Sequence, residues 1–221
     1  MPNKGLSYTD RIGEIAFAVI MVIIMNGYVA LSDLNSGFLY IVAVNLGACG
    51  SWGFIDGFVY AISSSIDRNN LRNELLFLRT LAQQKDTANQ KGLQDRVEKQ
   101  LNDSLISSFS EEGKREIIKN IITYAPQATV EENKLITREE ALSWLSIIGI
   151  YLTVGFLLAL PFLLLPDKVL AWLISNIIGI GWLFWYGVQL GRSLGKDRLA
   201  LGISMAAMGI VFLVVSYLVS T

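Results

Sequence analysis

Two acidic residues, Glu14 and Asp56, stand inside long apolar stretches of this sequence. A carboxylate within hydrocarbon costs free energy, so such a group usually faces a partner or a water-filled path. In a desolvated position a carboxylate holds a proton or a cation, but rarely both at once. The two residues therefore predict a site at which a cation and a proton compete, which is the basis of proton-coupled exchange.

Thioether and amide side chains accompany Glu14. At helical spacing, Met21 and Met25 share one helix face with Glu14, and Asn26 lies in the same stretch. Thioethers suit soft or borderline divalent cations, so we predict Glu14, Met21 and Met25 as metal ligands and Asn26 as part of the path. Two alternatives stay open: the methionines are core filler, and Glu14 is a carboxylate at a helix start.

A polar stripe runs along one predicted helix face on either side of Asp56. Its members recur three or four residues apart and include Asn45, Cys49, Trp52 and Tyr60. We predict Asp56 as a metal or proton ligand and Asn45, Cys49 and Tyr60 as residues lining the path. The alternative is a structural hydrogen bond from Asp56 to Asn45 or Tyr60.

The composition excludes several other kinds of chemistry. The 221 residues include no His and a single Cys, which excludes a Ser–His–Asp triad, a His-ligated metal and a disulfide scaffold. A net charge of −1 gives no global attraction to nucleic acid. No phosphate loop, GxSxG elbow or HExxH motif is present, so we expect neither an enzyme nor a bound cofactor.

Membrane-spanning helices must position the two carboxylates. Hydrophobic residues make up 52% of the chain and charged residues 17%, against about 25% charged residues in soluble domains. We predict five transmembrane helices, each near the length of about 20 residues that a bilayer requires. Their residues are 12–31, 38–62, 141–165, 169–191 and 199–219. The alternative for the first is a signal peptide, which Glu14 disfavours.

Most of the charged residues lie between the second and third predicted spans. Three regions follow: helices one and two in residues 1–65, a helical insert in 66–140, and helices three to five in 141–221. The Lys and Arg distribution places the N-terminus and the insert in the cytoplasm and the C-terminus on the opposite side. The insert packs on itself or on a twin, or else it senses a ligand or collects metal. Gly53 and Gly57 predict that another helix approaches the second one closely.

Several segments resemble the vacuolar iron transporter (VIT) family, also called the nodulin-21-like family. Residues 160–166, Leu-Pro-Phe-Leu-Leu-Leu-Pro, are similar to the proline-containing end of that family's third helix. Residues 202–217 are similar to its fifth helix. Residues 11–15 and 45–60 look closest to a divergent prokaryotic branch. Trp52 stands where the family motif has Met, and Glu14 lies in no Ser-Asp-Gly motif.

The resemblance implies five helices with a cytoplasmic insert, a homodimer in a lipid bilayer, and exchange of Fe²⁺ or Mn²⁺ against protons. We therefore expect a proton-coupled antiporter of divalent transition metal ions. Two rival functions remain open: a membrane scaffold or sensor that acts through its insert without transport, and a permease or channel for another small solute. The scaffold predicts acidic groups in protein contacts without access to water. The channel predicts a pore without clustered carboxylates.

Overall fold

The computed structural model describes residues 6–32, 37–83, 109–124, 127 and 134–220. Within these residues the chain forms six α-helices and no β-strand, which confirms the predicted all-α class. The helices are α1 (Tyr8–Ser32), α2 (Phe38–Gln83), α3 (Glu111–Tyr124), α4 (Arg138–Leu164), α5 (Lys168–Leu194) and α6 (Arg198–Ser220).

Four helices, α2, α4, α5 and α6, are long and apolar enough to cross a membrane. Large apolar side chains on them are exposed, among them Phe156, Leu163, Val211 and Val215. Exposed apolar surface on several long helices fits contact with lipid, so the chain fits a multi-pass membrane protein. The first of the five predicted spans corresponds to α1, which is 25 residues long and is not among these four.

The chain divides into two compact units. One comprises Met1–Ile62 with Ile136–Thr221, and the other comprises Ser63–Leu135. The single helix α2 continues past the apolar stretch into the residues of the second unit. Within that unit, Arg68 donates to the carbonyl oxygen of Lys134 over 2.7 Å, which holds the first and last segments of the unit together. Residues 84–108 of the predicted insert lie outside the described residues.

Local capping sets where α4 and α5 begin. Thr137 and Glu140 form a reciprocal capping box at the start of α4. Helix α4 runs through Pro161 and ends at Leu164. Asp167 accepts hydrogen bonds from the first backbone N–H groups of α5, so only three residues join the two helices.

We expect Thr137→Ala to lower the free energy of unfolding by about 1 kcal/mol. The backbone N–H of Glu140 loses its acceptor, the Thr137 hydroxyl, and the return bond from the backbone N–H of residue 137 to the Glu140 carboxylate loses its reciprocal partner. Unfolding in mixed micelles measures the change. Ser146→Ala is the matched control, since the Ser146 hydroxyl is exposed and donates only to Leu142 of its own helix. Equal losses in both variants would remove the capping box from the stability of α4.

Glycines let α2 and α4 pack with their backbones close together. A Cβ added at Gly53 would lie 2.9 Å from Cβ of Tyr151, and one at Gly57 would lie 2.4 Å from Cδ1 of Trp144. The indole N–H of Trp144 donates to the carbonyl oxygen of Phe54 over 3.0 Å. The close approach predicted from Gly53 and Gly57 is confirmed, and the approaching helix is α4.

Candidate ion-binding site

The N-terminus of α1 is capped by Ser7 and Asp10, each of which bonds the backbone N–H of the other at 3.1 Å. Glu14 lies one turn further into the helix and is half-buried. The side chains of Ser7 and Asp10, rather than that of Glu14, therefore accept these hydrogen bonds at the helix start. This leaves Glu14 available for a different contact.

That contact is Tyr151 on α4, whose side chain is only 1% exposed. The Tyr151 hydroxyl donates to Oδ2 of Asp56 on α2. Glu14 on α1 lies close enough to Asp56 and Tyr151 to interact electrostatically with both side chains. We call Glu14 and Asp56 the carboxylate pair. The structure thus gives Asp56 a partner on a different helix, Tyr151, whereas the sequence suggested Asn45 or Tyr60 of its own helix as alternative partners.

The carboxylate pair has a single hydroxyl donor beside it, that of Tyr151. A tyrosine hydroxyl carries a single proton, and it is given to Asp56. Glu14 can bond the same hydroxyl only if Glu14 is itself protonated or if a cation joins the two groups. In the part of the chain that the structure describes, neither carboxylate forms an ion pair. The arrangement is therefore suited to hold one proton or one cation.

We expect Tyr151→Phe to lower the free energy of unfolding by about 1–3 kcal/mol, because a buried hydrogen bond to a charged acceptor is lost. In an Asp56→Ala background the same substitution is expected to cost less, and the difference is the coupling free energy of the pair. Tyr186→Phe, at a half-buried tyrosine of the same core, is the control and should show no coupling. Equal costs of Tyr151→Phe in both backgrounds would contradict this contact.

The predicted thioether ligands lie away from the carboxylate pair. Met21 and Met25 are half-buried on α1, and they follow Glu14 by about 10 and 16 Å along the helix axis at 1.5 Å per residue. The described residues contain no cluster of three or more His, Cys, Asp or Glu side chains that could hold a metal. A cation at the carboxylate pair would thus take its remaining ligands from neutral oxygen atoms or water.

Two further predicted path residues of the polar stripe, Cys49 and Tyr60, pack in the apolar core or against it. Cys49 is a buried free thiol, and a Cβ added at Gly155 would lie 2.7 Å from its sulfur. Tyr60 is partly buried against the same apolar core. By contrast, Trp52 is exposed, so the stripe does not face the interior along its whole length.

The predicted path residues Asn26 and Asn45 are fully buried and bonded to each other. Nδ2 of Asn45 donates to Oδ1 of Asn26 over 2.5 Å, and Nδ2 of Asn26 donates to the Ser175 hydroxyl over 2.8 Å. That hydroxyl donates to the carbonyl oxygen of Leu158 over 2.6 Å. One hydrogen-bonded chain thus connects α2, α1, α5 and α4. We call Asn26, Asn45, Ser175 and the neighbouring Asn176 the asparagine layer.

Apolar packing separates the asparagine layer from the carboxylate pair. Asn26 and Asn45 lie about 16–18 Å along α1 and α2 from Glu14 and Asp56, at 1.5 Å per residue. The intervening residues are tightly buried; they include Ala18, Val19, Val22, Ile23, Ile147 and Val154. The interior therefore contains two polar levels with a hydrophobic core between them.

Neither a scan against models of protein families nor a search of curated proteins finds a match for this chain. The chemistry of the site itself must therefore carry the functional argument.

Proposed function

We propose that this protein is a membrane transporter that exchanges divalent transition metal ions, of the Fe²⁺ or Mn²⁺ kind, for protons. One observation carries the proposal: carboxylates from two different helices lie together beside one tyrosine, Tyr151, inside an apolar bundle. Ionised carboxylates only accept hydrogen bonds, so the pair can bind one additional proton or one cation. Exchange of one for the other is the simplest chemistry that such a pair performs.

Carboxylate oxygen favours divalent cations such as Mn²⁺ and Fe²⁺ over soft monovalent ones. Loss of protons turns the pair into a doubly charged site, which attracts a divalent ion strongly in a poorly solvated interior. Return of protons removes that charge and releases the ion. The thioethers Met21 and Met25 would then serve as weaker contacts further along the path.

The clustering of Glu14 with Asp56 favours this proposal over a channel for another solute, which predicts a pore without clustered carboxylates. The proposal includes α1 as a fifth span, a cytoplasmic N-terminus and insert, and assembly as a homodimer. These elements are those of the vacuolar iron transporter family, which the sequence resembles, and we propose that this chain is a divergent member.

Reconstitution into vesicles that contain a pH-sensitive dye tests the proposal. Fe²⁺, Mn²⁺, Zn²⁺ and Co²⁺ are added in turn, and metal uptake and proton movement are recorded together. We expect coupled movement for Fe²⁺ and Mn²⁺ and its loss in the double variant Glu14→Gln/Asp56→Asn. The control is Asp167→Asn, which neutralises an exposed carboxylate at a helix N-cap where Asn caps equally well.

The scaffold alternative also gains support from the hydrogen bond between Tyr151 and Asp56, because a scaffold predicts acidic groups that are hydrogen-bonded to other protein groups. The vesicle experiment separates the two functions. A scaffold moves no metal under any gradient, and neutralising Glu14 and Asp56 then changes nothing in the assay. Absence of metal movement by the properly folded, unmodified protein would overturn the transport proposal.

A further inference from the structure

The asparagine layer contains two buried amide oxygens that have no hydrogen-bond partner. Among the described residues, four buried side-chain polar atoms lack a partner, and three of them belong to this level of the bundle. These three are Oδ1 of Asn45, Oδ1 of Asn176 and Nε1 of Trp172. A buried polar atom without a partner costs about 1–3 kcal/mol, so three together at one level indicate an occupant that satisfies them.

The orientation of the Asn45 amide is fixed by the chain of bonds that begins at Leu158. A backbone carbonyl only accepts, so the Ser175 hydroxyl must donate to it and must accept from Asn26. Oδ1 of Asn26 then faces Asn45, which has to present its Nδ2 group. The remaining Asn45 oxygen is thereby left free, and rotating the amide would set two oxygen atoms against each other.

The amide of Asn176 is also fixed with its oxygen free, in this case by a bond within its own helix. Its Nδ2 group donates to the carbonyl oxygen of Trp172 over 2.8 Å, so its Oδ1 atom is turned away from that carbonyl. Asn176 is 1% exposed and Asn45 is fully buried. Two buried neutral oxygens, each fixed by a neighbouring carbonyl or amide, are thus free to accept, and neutral oxygens suit a hydrated cation or water that is itself bound to one.

We propose that the asparagine layer is a second, uncharged cation station, at which a divalent ion leaving the carboxylate pair is held by Asn45, Asn176 and water. This inference rests on the proposed function. The station lies on the side of the apolar core away from the carboxylate pair, and it carries no charge. Neutral oxygens bind an ion more weakly than carboxylates do, which allows release into solvent. Water at the station also supplies an acceptor for the N–H group of Trp172.

The first test asks whether water and small cations reach the layer. Single-cysteine proteins are made on a Cys49→Ser background, and a cationic, membrane-impermeant methanethiosulfonate reagent is added to both faces of vesicles that contain them. We expect Asn45→Cys to react about tenfold faster than Val22→Cys, which sits in the apolar core between the two polar levels. If Asn45→Cys fails to fold, Asn176→Cys serves, because Asn176 bonds only to its own helix.

The second test measures Mn²⁺ binding and Mn²⁺ transport separately. We expect Asn45→Leu to lower the transport rate about tenfold while the affinity of the carboxylate pair stays within about twofold, since a step after binding is impaired. Asn69→Leu is the matched control, because it removes the other unpartnered buried amide oxygen, which lies in the second unit. It should change neither quantity.

The two tests distinguish failure of the station from failure of the proposed function. Equal thiol reactivity at positions 45 and 22, or unimpaired transport by Asn45→Leu, overturns the station. If the unmodified protein neither binds nor moves Mn²⁺, the proposed function fails and the ion station fails with it. Rapid labelling at position 45 would then establish only that water reaches the layer.

Discussion

Asp56→Asn is expected to abolish metal-driven proton movement while the protein stays folded. The amide keeps the size of the side chain and still accepts the hydrogen bond from Tyr151, so the packing of α2 against α4 survives. It carries no titratable proton and no charge. The site then lacks one of its two anionic ligands, and a divalent ion loses most of the attraction that holds it. Proton and metal fluxes in reconstituted vesicles should both fall to background.

The folded state of that variant is checked by gel filtration and by unfolding in mixed micelles, which should match the unmodified protein within about 1 kcal/mol. Asp167→Asn makes the same chemical change at an exposed helix cap and should transport normally. Undiminished proton movement by Asp56→Asn would remove Asp56 from the mechanism. Metal movement without proton movement would instead show that Asp56 carries the proton alone.

The second large effect is expected at Gly187, where α5 and α6 pack most closely. A Cβ at this position would lie 2.3 Å from the carbonyl oxygen of Leu201 and 2.8 Å from Cα of Gly202. Both are backbone atoms, so no side chain can move aside to accept the methyl group. Gly187→Ala must push the helices apart, and we expect it to lower the free energy of unfolding by about 3 kcal/mol or more.

Gly181→Ala is the matched control on the same helix, because a Cβ there meets nothing within 4 Å. It should leave stability unchanged or raise it by up to about 1 kcal/mol through helix propensity. Thermal unfolding monitored by gel filtration compares the two variants directly. Equal stability of Gly187→Ala and Gly181→Ala would show that the close approach of α5 and α6 is not required for the fold.

Residue types and their spacing were sufficient to predict the local structure. The length and hydropathy of the apolar stretches predict the helices, because a helix satisfies its own backbone hydrogen bonds in lipid. The capping box at Thr137 and the close packing at Gly53 and Gly57 were also predictable, since each depends on residues a few positions apart. The acidic residues Glu14 and Asp56 stood out because charges are rare in such stretches.

The third member of the site, Tyr151, left no signal in the sequence. A tyrosine in an apolar helix is ordinary, and nothing in its own segment marks it as a hydrogen-bond donor to Asp56, 95 positions away. The same holds for Ser175, which completes the chain from Asn45 through Asn26. Both assignments depend on which helices are neighbours, and hydropathy does not determine neighbours.

The sequence by itself therefore determined an all-helical chain with apolar helices, the ends of several helices, and two carboxylates in unfavourable surroundings. Only the tertiary structure decided that these carboxylates lie beside one tyrosine, and that a separate layer of amides lies beyond an apolar core. The physical reason is the range of the interactions. Helix formation and capping act within a few residues, whereas a buried polar group takes its partner from whichever helix packs against it.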